Sequence, residues 1–316
     1  MRTHPWTHPG PVASEDCGMG AANYFRVAGH DFCVEFAGEG GNSMLLLPSF
    51  EPFRIPESRA GGLVFSLTVD DGLKPLPKAE RTRVRDFETG NGNFIVDKCC
   101  GGGYQFVLKN TFGHSCALFV TGGDFKHPKC ALNGTANMRT FGLNAVLMMS
   151  YAYATCKVKT LLIHASTVRH AGRGYAFTAK SGTGKSTHVA MWLRHIPGSD
   201  LMNDDNPVVR VVDGTPYIYG SPWSGKTPCY RDIGAPLGAI SFVERDTDNY
   251  VERLGPAKAF AAVMQGCAAM KWDETIYGNI MGTVTDIVSA GLVATLHCRP
   301  DKEAAEVCAR ELAGWK

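Results

Sequence analysis

The sequence predicts an α/β C-terminal domain over residues 139–316, preceded by a β-rich N-terminal domain over residues 21–138 and a flexible lead over residues 1–20. Three observations carry this. Short apolar or alternating runs recur through the first half, separated by Gly, Asp, Asn and Pro clusters. Residues 140–156 form one long apolar-to-neutral stretch of helical length. A β-prone run, a glycine-rich turn and a helical segment then follow one another over residues 174–194.

In the N-terminal part the strand-like runs are residues 23–28, 31–37, 63–69, 94–98, 104–108 and 115–120. Breakers such as 38–42 and Gly101-Gly102-Gly103 lie between them. Strands at this spacing suggest an antiparallel sheet or sandwich. Residues 75–85 mix Pro with basic side chains and read as an exposed connection. No catalytic spacing occurs here, which leaves substrate recognition or structural support. Residues 140–156 are too long for an ordinary strand and too short and polar for a membrane span, so a buried helix is expected. The Met148-Met149 pair then serves as core filling.

The C-terminal part alternates strands and helices. Residues 161–168 read as a strand carrying His164, beside a second strand at 175–178. A helix is expected over 188–194, within a helical stretch that starts near Lys185. Residues 208–212 and 215–219 form a hairpin around Asp213-Gly214, a type I′ signal. Pro256 opens a helix through Met270, Asp273 caps another to Ala290, and Gly291 ends it. A strand over 293–298 and a last helix from Asp301 to Leu312 complete the chain.

The central motif is the turn Ala179-x-x-x-x-Gly184-Lys185-Ser186, a phosphate-binding loop with Ala in place of the usual first Gly. Ser181, Gly182, Thr183, Gly184, Lys185, Ser186 and Thr187 are its nucleotide-binding candidates. Gly182 and Gly184 let backbone N–H groups converge on one anion. The helix behind them adds its positive end. Lys185 brings a mobile charge to the β- and γ-phosphates of ATP, and the Ser186 hydroxyl is placed to ligate Mg²⁺. One helix later, Asn203-Asp204-Asp205-Asn206 ends a short strand. It is either an Asn/Asp turn or the place where carboxylates assist Mg²⁺ and an attacking hydroxyl. Lys226 and Arg231 either clamp phosphate or an acidic substrate, or are solvated charges on a turn.

Bulk properties narrow the classes. The chain has 316 residues, 44% hydrophobic and 20% charged, as a globular protein has. A net charge of +2 makes no electrostatic case for nucleic acid or a membrane surface as partner. No apolar run approaches about 18 residues, and residues 1–20 lack a secretory apolar segment. The 11 cysteines include no Cys-x-x-Cys pair, which favours buried free thiols and a cytoplasmic setting over a zinc site or a disulfide framework.

His164, the 181–187 loop, Asp204-Asp205 and the Gly/Arg segment 231–240, in that order, resemble HPr kinase/phosphorylase, a family sharing its nucleotide core with phosphoenolpyruvate carboxykinase. The likeness spans residues 155–245 and continues over 246–312 as a succession of elements. It is nearest to small stand-alone members, some of which phosphorylate a peptide. The resemblance implies a P-loop kinase that transfers the γ-phosphoryl group of ATP, with Mg²⁺, to a hydroxyl of a peptide or protein serine or of a small metabolite. It implies Asp204 as general base, Asp205 and Ser186 as holders of Mg²⁺, Lys185 as neutraliser of the moving phosphoryl group, and His164 near the acceptor. Related kinases are often oligomeric, so a homo-oligomer is open. Thr187 stands where the bifunctional HPr enzymes carry Glu, as in the carboxykinases, which points away from HPr as acceptor. An oxaloacetate-dependent carboxykinase and a non-enzymatic ATP-binding regulator are the alternatives.

Overall fold

Two nine-stranded mixed sheets, with helices packed on them, make up the fold seen in a computed structural model that describes residues 22–38, 41–180 and 183–314. The first contains β1 (Ala22–Val27), β2 (His30–Phe36), β3 (Arg54–Ile55), β4 (Leu63–Val69), β5 (Arg81–Thr89), β6 (Gly92–Cys99), β7 (Tyr104–Lys109), β8 (Ser115–Thr121) and β9 (Lys129–Leu132). Its strand order is β3-β1-β2-β4-β9-β8-β7-β6-β5. The expected antiparallel sheet or sandwich is corrected to one mixed sheet in which β2–β4 and β4–β9 run parallel. The expected connection over 75–85 is also corrected, because its second half is the start of β5. This edge strand is nearly all exposed, so it lacks the alternation that marks a half-buried strand. The lead over residues 1–20 lies outside the described residues.

Helix α1 (Ala136–Thr155) follows, started by the Thr135 hydroxyl accepting from the Met138 amide. It is the buried helix that the sequence predicts. Leu143, Val146, Leu147 and Tyr151 lie in one apolar core with Phe32, Phe65 and Phe119 of the first sheet and Leu161, Val209 and Ile218 of the second. The Tyr151 hydroxyl donates to the Val27 carbonyl at 3.0 Å, so burying the phenol leaves no polar group orphaned.

The second sheet holds β10 (Thr160–Leu162), β11 (Ser166–His170), β12 (Arg173–Thr178), β13 (Asp200–Asn203), β14 (Val208–Val212), β15 (Thr215–Tyr219), β16 (Gly234–Arg245), β17 (Tyr250–Arg253) and β18 (Leu292–Cys298). Its helices are α2 (Lys185–His195), α3 (Pro256–Gly266), α4 (Glu274–Ala290) and α5 (Lys302–Ala313). Along β12, Tyr175 and Phe177 face one core with Val189 and Trp192 of α2 and Cys308 of α5, while Ala176 faces the other. Covered on both faces, β12 is buried over five consecutive residues.

Two sequence expectations need adjustment. The strand expected over 161–168 breaks at 163–165, where the His164 amide donates to the Gly266 carbonyl at 2.8 Å rather than to a neighbouring strand. The helix expected to reach Met270 stops at Gly266. The Asp213-Gly214 hairpin, the Asp273 cap and the start of the last helix at Pro300-Asp301 are where the sequence puts them.

Topology fixes one edge as special. β12 pairs parallel with β16, which pairs parallel with β18. β11 is antiparallel to both β12 and β13, so β13 also runs with β12. The carboxyl ends of β12, β13, β16 and β18 therefore meet on one edge, where ligands gather in open α/β sheets.

His30 links the two sheets through its Nε2 contact with the Thr160 hydroxyl at 2.8 Å. Burial, with help from the Arg210 charge, pushes its imidazole down from 6.5 to about 4. The unfolded chain then binds the extra proton as pH falls from 6.5 toward 4, so the stability contributed by neutral His30 is complete above 6.5 and lost across that window. The expected loss is about 3 kcal/mol by pH 4. Denaturant titrations across this range will show His30→Gln flattening the pH dependence; an unchanged slope contradicts this account.

Candidate functional site

The end of β13 sets the geometry. Asn203 is fully buried, and its side-chain amide donates to Ser221 and to the Trp223 carbonyl at 3.1–3.3 Å. Its Oδ1 accepts from the amides of Asp205 and Asn206, both at 2.9 Å. Such an Asx turn reverses the chain within two residues and aims consecutive carboxylates in different directions.

Asp204 points inward. It is buried, with Oδ1 accepting from the Ser166 hydroxyl at 2.6 Å and Oδ2 from the Thr227 amide at 3.0 Å. Gly225 lies against it so closely that a Cβ there would meet the Asp204 carbonyl oxygen at 2.7 Å. Asp205 points the other way. His164 Nε2 lies 3.1 Å and Lys185 Nζ 3.6 Å from its Oδ1, and the Asn206 side-chain Nδ2 donates to its Oδ2 at 2.7 Å. Burial alone would raise the Asp205 carboxyl, but the adjacent His164 and Lys185 outweigh it and hold it below the usual carboxylate range.

Lys185 is the first residue of α2, directly after Gly184 at φ 128°. That backbone favours glycine, and it turns the chain from the end of β12 into the helix. The α2 start has no side-chain cap and no acid in its first turn. By contrast α1, α4 and α5 are capped by Thr135, Asp273 and Asp301. Bare first-turn amides together with Lys185 leave a concentration of positive potential that an anion would relieve. Ser186 and Thr187 are exposed in that same turn. Ser181 and Gly182 lie outside the described residues.

Lys185, His164 and Asp205 are thus brought together, with Asp204 behind them and Ser186 on the adjoining turn. Lys226 is exposed on the loop that covers Asp204. Arg231 is not brought to this cluster. Its guanidinium binds the Asp200 carboxylate at 2.8 Å and the Leu201 carbonyl, at the opposite end of β13. Arg169 binds the same carboxylate, so Arg231 belongs to an ion pair away from the cluster, and of the two cations Lys226 alone lies on the loop beside Asp204. Sequence reasoning missed Ser166, Thr227 and Arg245, whose Nε donates to the Thr183 carbonyl at 2.9 Å. Ser166 stands two residues after His164, the one local hint; the other two are joined to the site only by tertiary contacts.

No protein-family model matches the chain, and no curated protein does. Among solved structures the chain is weakly similar to the Hpr(Ser) kinase/phosphatase from Coxiella burnetii. The TM-score is 0.30 and the identity 9%, over 48% of this chain and 88% of that one. Among the described residues no helix is long and apolar enough to cross a membrane.

Removing the Ser166 hydroxyl leaves a buried carboxylate oxygen without its donor. Ser166→Ala is expected to destabilise the fold by about 1–3 kcal/mol, read from the urea midpoint. An unmoved midpoint contradicts the brace.

Proposed function

We propose that the protein is an ATP- and Mg²⁺-dependent phosphotransferase acting on a hydroxyl, either a serine of a peptide or protein or an alcohol of a small metabolite. The observation that carries this is the convergence of Lys185 and His164 on Asp205 in front of the uncapped α2 N-terminus. The order of motifs that resembles the HPr kinase family supports the same reading.

The residues present fit both ligands. The first-turn amides of α2 offer donors to phosphate oxygens, and Lys185 is free to exchange Asp205 for the γ-phosphate. Asp205 and Ser186 supply the hard oxygen ligands that Mg²⁺ takes together with phosphates. The ion would neutralise charge on the phosphate oxygens. Asp204 has both oxygens engaged inside the protein, so its role is to brace rather than to take a proton. That role falls to His164, whose side chain is 53% exposed. With Nε2–H donated to Asp205, Nδ1 is the ring nitrogen left to take the proton, the logic by which a carboxylate orients a catalytic imidazole.

In the transfer, the acceptor oxygen bonds to the γ-phosphorus and the β–γ bridging P–O bond breaks. ADP leaves, and the hydroxyl proton passes to His164 Nδ1. Lys185 stabilises charge on the moving group. The oxaloacetate alternative drew on Lys226 and Arg231 together, and with Arg231 paired to Asp200 it loses half its basis.

With γ-labelled ATP and a fractionated cell lysate, the full chain is expected to transfer label to an acceptor. Lys185→Ala should lower the rate by about 100-fold or more, and His164→Asn by a comparable order. A Lys185→Ala protein that labels at the wild-type rate excludes the reading.

A further inference from the structure

Beside the phosphate-facing residues a cleft of about 410 Å³ opens at the same strand edge. It begins at Thr183 and Gly184 and runs along α2 past Thr187 and Met191. Residues four apart share a helical face, so these two side chains make one wall. The opposite wall comes from Val243 and Arg245 at the carboxyl end of β16 and from Cys298 and Pro300 at the end of β18. Neither Arg245 nor Arg299 stands as a loose charge at this rim. Arg245 is tied to the Thr183 carbonyl, and Arg299, which also lines the cleft, is tied to Asp301 and Glu303.

We infer that this cleft takes the base and ribose of a nucleoside triphosphate whose phosphates lie at the α2 N-terminus. The inference rests on the phosphotransferase reading and specifies its nucleotide. Size, lining and position agree. The cleft falls in the range of ligand pockets, which are mainly apolar with a few polar groups. Its lining is mainly apolar and includes Met191, a side chain of the kind that packs well on flat rings. From Gly184 to Met191 the helix advances about 10 Å, so base and phosphates lie along one side of α2.

His188 adds an independent observation. It is 3% exposed, packs edge-on to Phe177 with ring centroids 4.7 Å apart, and its Nε2 has no hydrogen-bond partner among the described residues. A buried polar nitrogen without a partner is costly. This one belongs to a residue that lines the cleft, where the heteroatoms of a base provide partners. Arg245 then ties the two halves of the site together, since it lines the cleft and holds the loop at Thr183.

The test is calorimetry on the full chain with Mg²⁺, comparing ATP with inorganic tripolyphosphate, which has phosphates but no base. Met191→Trp and Pro300→Trp place an indole in the cleft from opposite walls, both at positions that are not buried. Each is expected to shift ATP affinity by about tenfold, the size of one base-stacking contact, while tripolyphosphate affinity is unchanged. That unchanged affinity also shows that the variants fold. Equal ATP affinity in wild type and both variants overturns the cleft assignment while leaving the phosphotransferase reading intact. A wild-type chain that binds neither ligand overturns both. Photolabelling with 8-azido-ATP gives a second readout. Label on peptides containing Met191, Arg245 or Pro300 supports the cleft, and ATP-protected label confined to other peptides overturns it.

Discussion

The burial of Asp204 between the Ser166 hydroxyl and the Thr227 amide is the constraint on which the site depends. A carboxylate is expensive to bury, and hydrogen bonds to its charged form offset that cost. Once Asp204 faces inward, the Asx turn made by Asn203 sends Asp205 outward. The outer carboxylate meets Lys185 and His164, which come from separate elements that share only the carboxyl-end edge of the sheet. Two adjacent aspartates thereby acquire different environments. One holds β11, β13 and the 221–229 loop together; the other faces Lys185 and His164. Separate environments for like residues are a common way to divide chemical roles within one site.

The α2 N-terminus supplies the opposing charge. Its bare amides and Lys185 add to the same positive potential, an unfavourable arrangement unless an anion sits there. Asp205 supplies a counter-charge to the lysine, 3.6 Å from its ammonium group. A triphosphate would compete for the same lysine with more charge and more acceptors. The salt bridge then acts as a placeholder that keeps Lys185 aimed, and releasing it leaves Asp205 able to meet a cation. Proximity and charge neutralisation are what phosphoryl transfer asks of a protein, and under the proposed reading these groups would provide both.

Local chemistry was legible in the sequence; long-range pairing was not. Asp213-Gly214 forms its hairpin because the turn residues themselves require positive φ, 48° and 77° here. Asp273 and Asp301 cap their helices because a side chain reaches amides three residues on. The buried α1 could be read from its length and apolar content. By contrast, β5 has no apolar rhythm because it is an edge strand, and the parallel β2–β4 and β4–β9 pairings depend on crossovers that no local pattern encodes. Within the site, Lys185 and the aspartate pair stood out by residue type and spacing, and His164 only through the family resemblance. Which aspartate faces outward depends on Ser166 and Thr227, 38 and 23 residues away from Asp204. Arg231 looked available because its partner Asp200 is 31 residues distant; a guanidinium's commitments are set by the fold, and sequence alone shows only that the charge exists.

The central claim is that the α2 N-terminus and Lys185 hold the phosphates of a nucleotide. A crystal structure of the full chain with Mg²⁺ and a non-hydrolysable ATP analogue tests it most directly. The account requires phosphate oxygens within hydrogen-bonding distance of the Lys185 ammonium group and of the first amides of α2, with Lys185 withdrawn from Asp205. An analogue bound elsewhere, with the Lys185–Asp205 contact undisturbed, contradicts it.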